Sequence, residues 1–226
     1  MIIDFHSHIL PGADHGSDSV TTTEKQLALI TAAGTGALVA TPHFYPHRHR
    51  LSDFLSRRAA ALADLLAIDT PKPRIYPGAE VLVCAGMEEM EGLGSLTIPG
   101  TRVILLEMPF TRWNGDLYDT VFAIRDAGFE VVLAHIDRYP REALSPFLSE
   151  GMKVQLNADS LCRPFAVRKY RDLVESGLVV ALGSDLHGAS AADYQRFVRA
   201  QKKLRGMAGE IFARTEALLR DAQPAD

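Results

Sequence analysis

The sequence predicts an α/β protein built around a parallel sheet. Three observations carry that prediction. A helical stretch ending in glycine is followed four times by a short, mostly apolar run. Most of these runs lack polar alternation, as strands buried on both faces do. A potential metal ligand or a polar side chain then follows each run.

The elements follow in order. Ile2-Ile3-Asp4-Phe5 is the first strand. Gly34 precedes the second, Ala37-Leu38-Val39-Ala40-Thr41. The third, Arg74-Ile75-Tyr76-Pro77-Gly78-Ala79, is weakened by Pro77, which has no N–H to donate. Arg102-Val103-Ile104-Leu105-Leu106 is the fourth. Gly128, Gly151 and Gly177 precede the last three, Val131-Val132-Leu133-Ala134, Lys153-Val154-Gln155-Leu156-Asn157 and Leu178-Val179-Val180-Ala181-Leu182. Glycine at these places ends a helix in the left-handed conformation without a Cβ penalty. Helical spacing joins Leu55, Ala59, Leu62 and Leu66, then Leu117, Val121 and Ile124, then Val167, Tyr170 and Val174. Each set predicts one buried face. The Arg57-Arg58 pair reads as a solvated helix face. The stretch 207–220 reads as a last amphipathic helix, and Gln223-Pro224-Ala225-Asp226 as a frayed tail. No Pro/Gly/Ser-rich linker divides the chain, so 1–226 reads as one domain.

Composition narrows the function classes. The chain has 226 residues, 47% hydrophobic and 23% charged, with a net charge of -4. That is too apolar for disorder and gives no basic footprint for nucleic acid. Two cysteines cannot build a disulfide framework, which points to a reducing cytoplasm. No run reaches the roughly 18 apolar residues of a membrane span, and no signal peptide is expected.

The chemistry gathers after the strands. His6 and His8 follow the first, His43 the second, Glu80 the third and Glu107 the fourth. His135 and Arg138 follow the fifth, Asn157 closes the sixth, and Asp185 and His187 follow the seventh. Parallel α/β folds build their sites at these strand ends. Period-two alternation places His6 with His8, and Asp185 with His187, on one side of an extended chain. A lone histidine at a strand end reads as a structural residue. The whole set reads as a site for clustered divalent ions, and imidazole with carboxylate suits Zn, Mn or Fe. Such ions supply Lewis acidity and an activated water to phosphate-ester hydrolysis.

Asp4-Phe5-His6-Ser7-His8, Thr41-Pro42-His43, Gly78-Ala79-Glu80, Leu106-Glu107-Met108-Pro109-Phe110, Ala134-His135-Ile136-Asp137-Arg138-Tyr139, Gln155-Leu156-Asn157 and Gly183-Ser184-Asp185-Leu186-His187 stand in one order. That order resembles the polymerase-and-histidinol-phosphatase (PHP) superfamily, and within it the CpsB/CapC-type bacterial protein-tyrosine phosphatases. The resemblance implies a PHP-type distorted (β/α)7 barrel holding two or three divalent ions, Mn, Fe or Zn. It implies His6, His8, Glu80 and Asp185 on one ion, and Glu80, Glu107 and His135 on a second. His43, His187 and a residue of the 14–16 turn would hold a third. That residue is His15, where the family carries aspartate, with Asp14 as the alternative. Arg138 would grip phosphate. The implied partner is a phosphotyrosine protein, a bacterial tyrosine kinase tail in capsule or exopolysaccharide synthesis, with no nucleic acid and no membrane insertion. The expected Arg soon after His187 is missing; Arg196 comes late.

The basic stretch Phe44-Tyr45-Pro46-His47-Arg48-His49-Arg50 is either a solvated loop or a rim drawing in phosphopeptide through Arg48 and Arg50, with Phe44 and Tyr45 stacking on the ring. Cys162 to Arg168 matches the C-x5-R spacing of cysteine-dependent phosphatases. Pro164 removes one phosphate-cradling N–H there, so that reading is rejected. Two other functions share the motifs: a small-molecule phosphatase for histidinol phosphate or a nucleotide, and a non-catalytic PHP binding module.

Overall fold

The computed structural model describes residues 1–225, the side chain of residue 193 excepted. Nine strands form among the described residues: β1 (Ile3–Ser7), β2 (Ala37–Ala40), β3 (His43–Phe44), β4 (Arg74–Pro77), β5 (Glu80–Leu82), β6 (Val103–Glu107), β7 (Glu130–Leu133), β8 (Lys153–Asn157) and β9 (Val179–Gly183). The helices are α1 (Val20–Ala32), α2 (Leu51–Leu66), α3 (Gly115–Asp126), α4 (Arg141–Ser149), α5 (Ala158–Leu161), α6 (Ala166–Glu175), α7 (Ala191–Leu204) and α8 (Gly206–Leu218). No helix among the described residues is long and apolar enough to cross a membrane.

All strand pairs are parallel, in the orders β1-β2-β4 and β3-β5-β6-β7-β8-β9. Seven of the strands fall on the predicted runs; β3 and β5 are additional, each beginning at a predicted ligand just past the end of the second and third runs. Thr41-Pro42 separates β2 from β3, and Gly78-Ala79 separates β4 from β5. Each break carries the chain from the first sheet into the second. The weak point foreseen at Pro77 is therefore a break: the strand stops there and restarts at Glu80. After β9, the Asp185 N–H donates to the His6 carbonyl (2.8 Å) and the His8 N–H to the Leu186 carbonyl (3.2 Å). These bonds close the ring into a distorted barrel. Its wall is dry: Phe5, Leu38, Ile104, Val132, Leu156 and Leu182 are fully buried.

The four predicted capping glycines all take positive φ, between 72° and 85°. The helix predictions over 55–66, 117–124, 167–174 and 207–220 find α2, α3, α6 and α8. In α2 the buried stripe is turned by one residue, to Phe54, Ala61 and Leu65, and Ala59 is exposed. Phe54 supplies more apolar surface than Ala59 and packs on Phe44 at 5.0 Å between ring centroids. Arg58 is not a solvated residue. Its guanidinium lies over the Phe54 ring and donates to the Gly78 and Ser95 carbonyls, both at 3.0 Å. It thereby clamps the break that precedes Glu80. The tail is not frayed either: the Gln223 N–H donates to the Pro99 carbonyl and the Ala225 N–H to the Ile75 carbonyl. Asp226 lies outside the described residues.

Candidate metal centre

β1 delivers the first two donors. His6 and His8 are buried, and their Nε2 atoms stand 3.1 Å apart. Each ring is held from behind through Nδ1. His6 Nδ1 faces Gln155 Oε1 at 3.2 Å, and His8 Nδ1 faces Asp14 Oδ2 at 2.7 Å. Acceptors on Nδ1 leave the Nε2 lone pairs for the interior. Glu80 Oε2 lies 3.2 Å from His6 Nε2 and 3.3 Å from His8 Nε2. Asp185 Oδ1 lies 3.8 Å and 3.3 Å from the same atoms. Glu80 and Asp185, from β5 and the segment after β9, thus each bring a carboxylate oxygen to the imidazole pair of β1. Burial opposes charge on both imidazoles; Glu80 and Asp185 outweigh it at His6 and raise its pKa, and the Asp14 hydrogen bond, with Asp185 and Glu80, lifts His8 well above its ordinary value.

Glu80 is the hub. It is 1% exposed, and its Oε1 accepts from His135 Nε2 at 2.7 Å. Its Oε2 is 2.9 Å from His43 Nδ1, in poor geometry for a hydrogen bond. Burial pushes its pKa up, yet the surrounding imidazoles hold it well below the carboxylate range. Glu107, the last residue of β6, sits 3.6 Å from His135 Nε2 and 3.9 Å from His43 Nδ1. Burial and the neighbouring Glu80 push it up to about 7.

His187 Nδ1 donates to the Asp185 carbonyl at 3.0 Å, which leaves Nε2 pointing inward. The His15 ring stands 4.8 Å from both His43 and His187, and the His8 ring 4.1 Å from His187. Asp14 is occupied elsewhere. Its Oδ2 accepts from His8 Nδ1 and from the His43 N–H (2.9 Å), and its Oδ1 from the Gly16 N–H (2.8 Å). Asp14 anchors His8, while the exposed His15 stacks on His43 and His187 and belongs to none of the three close donor groups.

The donor set fits metal ions. Three groups of side chains each bring their donor atoms within 4.8 Å of one another: His6, His8 and Glu80; His43, Glu80 and Glu107; His8, His43 and His187. Glu80 Oε2, His43 Nδ1, His135 Nδ1 and His187 Nε2 are buried without a hydrogen-bond partner. Orphaned polar atoms of this kind are costly without a cation. His43 faces both Glu80 and His187, so it spans two of the expected groupings. His135 and Asp185 hold φ at 31° and 53°, left-handed values that turn their side chains into the cluster.

An outer layer explains the geometry. Gln155, fully buried on β8, accepts from the His135 N–H at 2.7 Å as well as facing His6. Its Nε2 donates to Asn157 Oδ1 (2.8 Å), and Asn157 Nδ2 donates to Asp185 Oδ2 (2.9 Å). One amide chain therefore ties His6, His135 and Asp185 together. Asn157 positions Asp185, and Gln155 was missed as a functional residue. A glutamine between Val154 and Leu156, in a strand buried on both faces, was the available signal. Two glycines make room. A Cβ on Gly183 would stand 2.5 Å from His6 Cβ, and one on Gly16 2.1 Å from His8 Cβ.

Arg138 lies at the mouth, 40% exposed, and pairs with Asp185 Oδ2. Beside it opens a 520 Å³ cavity lined by Asn157, Arg163, Asp185, His187 and Arg196 among others. Arg48 stands over the Tyr45 ring, which stacks on His43 at 5.2 Å. Arg50 is exposed just before α2. Phe44 is 1% exposed and cannot meet a substrate ring. Cys162 is half-buried, and burial pushes its thiol up, the wrong direction for a nucleophile.

Barrel and donor cluster define the class: an α/β barrel protein with a buried, multi-carboxylate, multi-imidazole centre at the C-terminal strand ends. The chain belongs to the CpsB/CapC family, described as capsular polysaccharide synthesis, whose model matches residues 2–219. It is 26% identical over 208 residues to the tyrosine-protein phosphatase CpsB of Streptococcus pneumoniae, across 82% of this chain and 83% of that one. It is 24% identical to the CpsB phosphatase of Streptococcus agalactiae, with the same coverage. Its fold is similar to a solved structure of the work on YwqE from Bacillus subtilis and CpsB from S. pneumoniae, described as metal-dependent tyrosine phosphatases. That match has a TM-score of 0.78 at 20% identity over 100% of both chains. A β-aspartyl dipeptidase from Fervidobacterium islandicum matches at TM-score 0.53 and 14% identity, over 98% of this chain and 70% of that one.

Proposed function

We propose that this protein is a metal-dependent protein-tyrosine phosphatase acting in capsule or exopolysaccharide synthesis. The observation that carries the reading is the convergence of His6 and His8 Nε2 with Glu80 and Asp185, inside a shell of orphaned donor atoms. His6, His8, Glu80 and Asp185 hold one ion. Glu80, Glu107 and His135 hold a second, and His15, His43 and His187 a third. The ions are Mn, Fe or Zn, and bound there they supply Lewis acidity and an activated water for hydrolysis at phosphorus.

The chain's own groups do the rest. Arg138 donates to phosphoryl oxygens and offsets their developing charge. Asp137 lines the same mouth, where its Oδ1 accepts from the Asn157 N–H at 2.8 Å and burial raises its carboxyl pKa. A tyrosine phenolate leaving group, of pKa about 10, needs less help from a proton donor than an alkoxide. Arg48 and Arg50 add positive charge to the rim for an anionic peptide. Residues 1–226 act as one domain. The substrate is a phosphotyrosine protein, a bacterial tyrosine kinase tail, met in the cytoplasm.

The test compares turnover of a phosphotyrosine peptide with that of histidinol phosphate, with and without chelator, alongside the metal content of the purified protein. Chelator-sensitive turnover of the peptide is expected. Protein with neither metal nor turnover would overturn the reading, and preference for histidinol phosphate would move it to a small-molecule phosphatase.

A further inference from the structure

The loop 108–114 leaves β6 immediately after Glu107 and carries two aromatic side chains to the mouth. Phe110 is 69% exposed. Its ring lies nearly parallel to His135, at 13° and 6.4 Å between centroids, and 5.9 Å from Tyr139. Trp113 meets Tyr139 edge-on at 5.2 Å. The polar atoms of these rings are already engaged. Trp113 Nε1 donates to the Pro109 carbonyl at 2.7 Å, and the Tyr139 hydroxyl to the Met108 carbonyl at 2.9 Å. What they offer is apolar ring surface.

Together they line a 590 Å³ cleft, and Arg138 forms part of its wall. Arg138 also lines the polar cavity beside Asp185. Arg138 thus stands between the aromatic cleft and the polar cavity that reaches Asp185 and His187. The polar cavity carries arginine and aspartate side chains but no ring other than His187. An ester with a charged phosphoryl end and an apolar aromatic end matches this division: phosphoryl group towards Arg138 and the donors, ring towards Phe110 and Trp113.

We propose that this cleft is the subsite for the aryl group of an aryl phosphate ester, with Phe110 and Trp113 as its specificity-determining residues. The proposal rests on the phosphatase reading above and adds the means by which the same centre prefers phosphotyrosine to phosphoserine. Phe110 makes ring contacts from an exposed loop position, so its removal perturbs ligand binding more than folding.

Trp113 is the one tryptophan of the chain, so its emission reports on the cleft. Protein purified with its resident metals is titrated with phenylphosphonate, and with methylphosphonate as the alkyl control; neither is hydrolysed. A saturable change in Trp113 emission is expected with phenylphosphonate and not with methylphosphonate. Phe110→Ala should lower the phenyl-over-methyl affinity ratio about fivefold to tenfold, the worth of one good aromatic contact. In turnover the same variant should lose phosphotyrosine-over-phosphoserine preference by a similar factor, read in KM more than in kcat. Equal responses to the two phosphonates, or an unchanged ratio in Phe110→Ala, would overturn the proposal. The titration needs no hydrolysis. A protein that binds phenylphosphonate through Phe110 but hydrolyses neither ester defeats the phosphatase reading alone. One that hydrolyses phosphotyrosine with preference unaltered by Phe110→Ala defeats the subsite alone.

Discussion

Gln155→Leu is the most informative single substitution in the outer layer. Leucine keeps most of the volume and removes every polar contact. Three contacts go: His6 Nδ1 at 3.2 Å, the His135 N–H at 2.7 Å and Asn157 Oδ1 at 2.8 Å. His6 and His135 are both buried, so no solvent replaces the lost acceptor. Two unsatisfied donors at about 1–3 kcal/mol each give a destabilisation of about 2–6 kcal/mol. For a chain of this length that lowers Tm by very roughly 5–20 °C. Loss of the group that orients a ligand lowers metal affinity about 10–100-fold. Calorimetry on chelated protein reads the first effect, and competition against a fluorescent chelator the second. Gln155→Glu retains the acceptor for His6 and should keep more of the affinity. Metal affinity in Gln155→Leu within about twofold of wild type would refute the positioning argument.

Further outcomes follow from the same geometry. Gly183→Ala places a Cβ 2.5 Å from His6 Cβ and 2.6 Å from Gln155 Nε2, so it should cost about 1–3 kcal/mol in a thermal melt and displace His6 from the cluster. His6 and His8 have raised pKa values, so protons compete with a metal ion for their ring nitrogens. Metal uptake near pH 7 should release protons into a weak buffer, and apparent affinity should climb as pH rises. Asp4 is raised by burial from 3.8 to about 6. Its contribution to stability is greatest below pH 3.8 and falls away as pH rises through 6, by about 3 kcal/mol. Asp4→Asn should flatten that part of the pH–stability curve of the chelated protein; an unaltered curve would count against the buried carboxyl. Cys162→Ser should leave phosphatase activity within about twofold, since burial raises the thiol and it belongs to none of the donor groups.

Much of the barrel was legible because parallel strands leave a plain signature. Both faces are buried, so the runs are apolar, and the capping glycines mark their approach. The donors were legible because they fall at strand ends, where a chance placement would scatter them. Register and facing were harder to read. Two apolar stripes run along α2, at 54/61/65 and 55/62/66, and periodicity alone cannot say which packs inward. The breaks at Thr41-Pro42 and Gly78-Ala79 depend on how two sheets meet, a long-range matter. As part of either a solvated loop or a substrate rim Phe44 would stand at the surface, but the short β3 pairing carries it into the core. Gln155 and Arg58 were hidden by residue type: one looked like a strand filler and the other like a surface charge. Their roles rest on carbonyls and imidazoles distant in sequence.

The amide chain on β8 has a consequence for how the fold assembles. Gln155 and Asn157 are two residues apart and face the centre together, while Leu156 between them packs in the core. A slip of one residue against β9 would turn both amides away and drive Leu156 among the histidines. The β8–β9 pairing already carries an irregularity between Val154 and Gln155, so the wrong alignment is a near neighbour of the right one. Only one alignment answers the His6 and His135 donors and leaves no carboxylate facing hydrocarbon. The polar interior thus proofreads the strand pairing, and a barrel closed in the wrong register would announce itself by failing to take up metal.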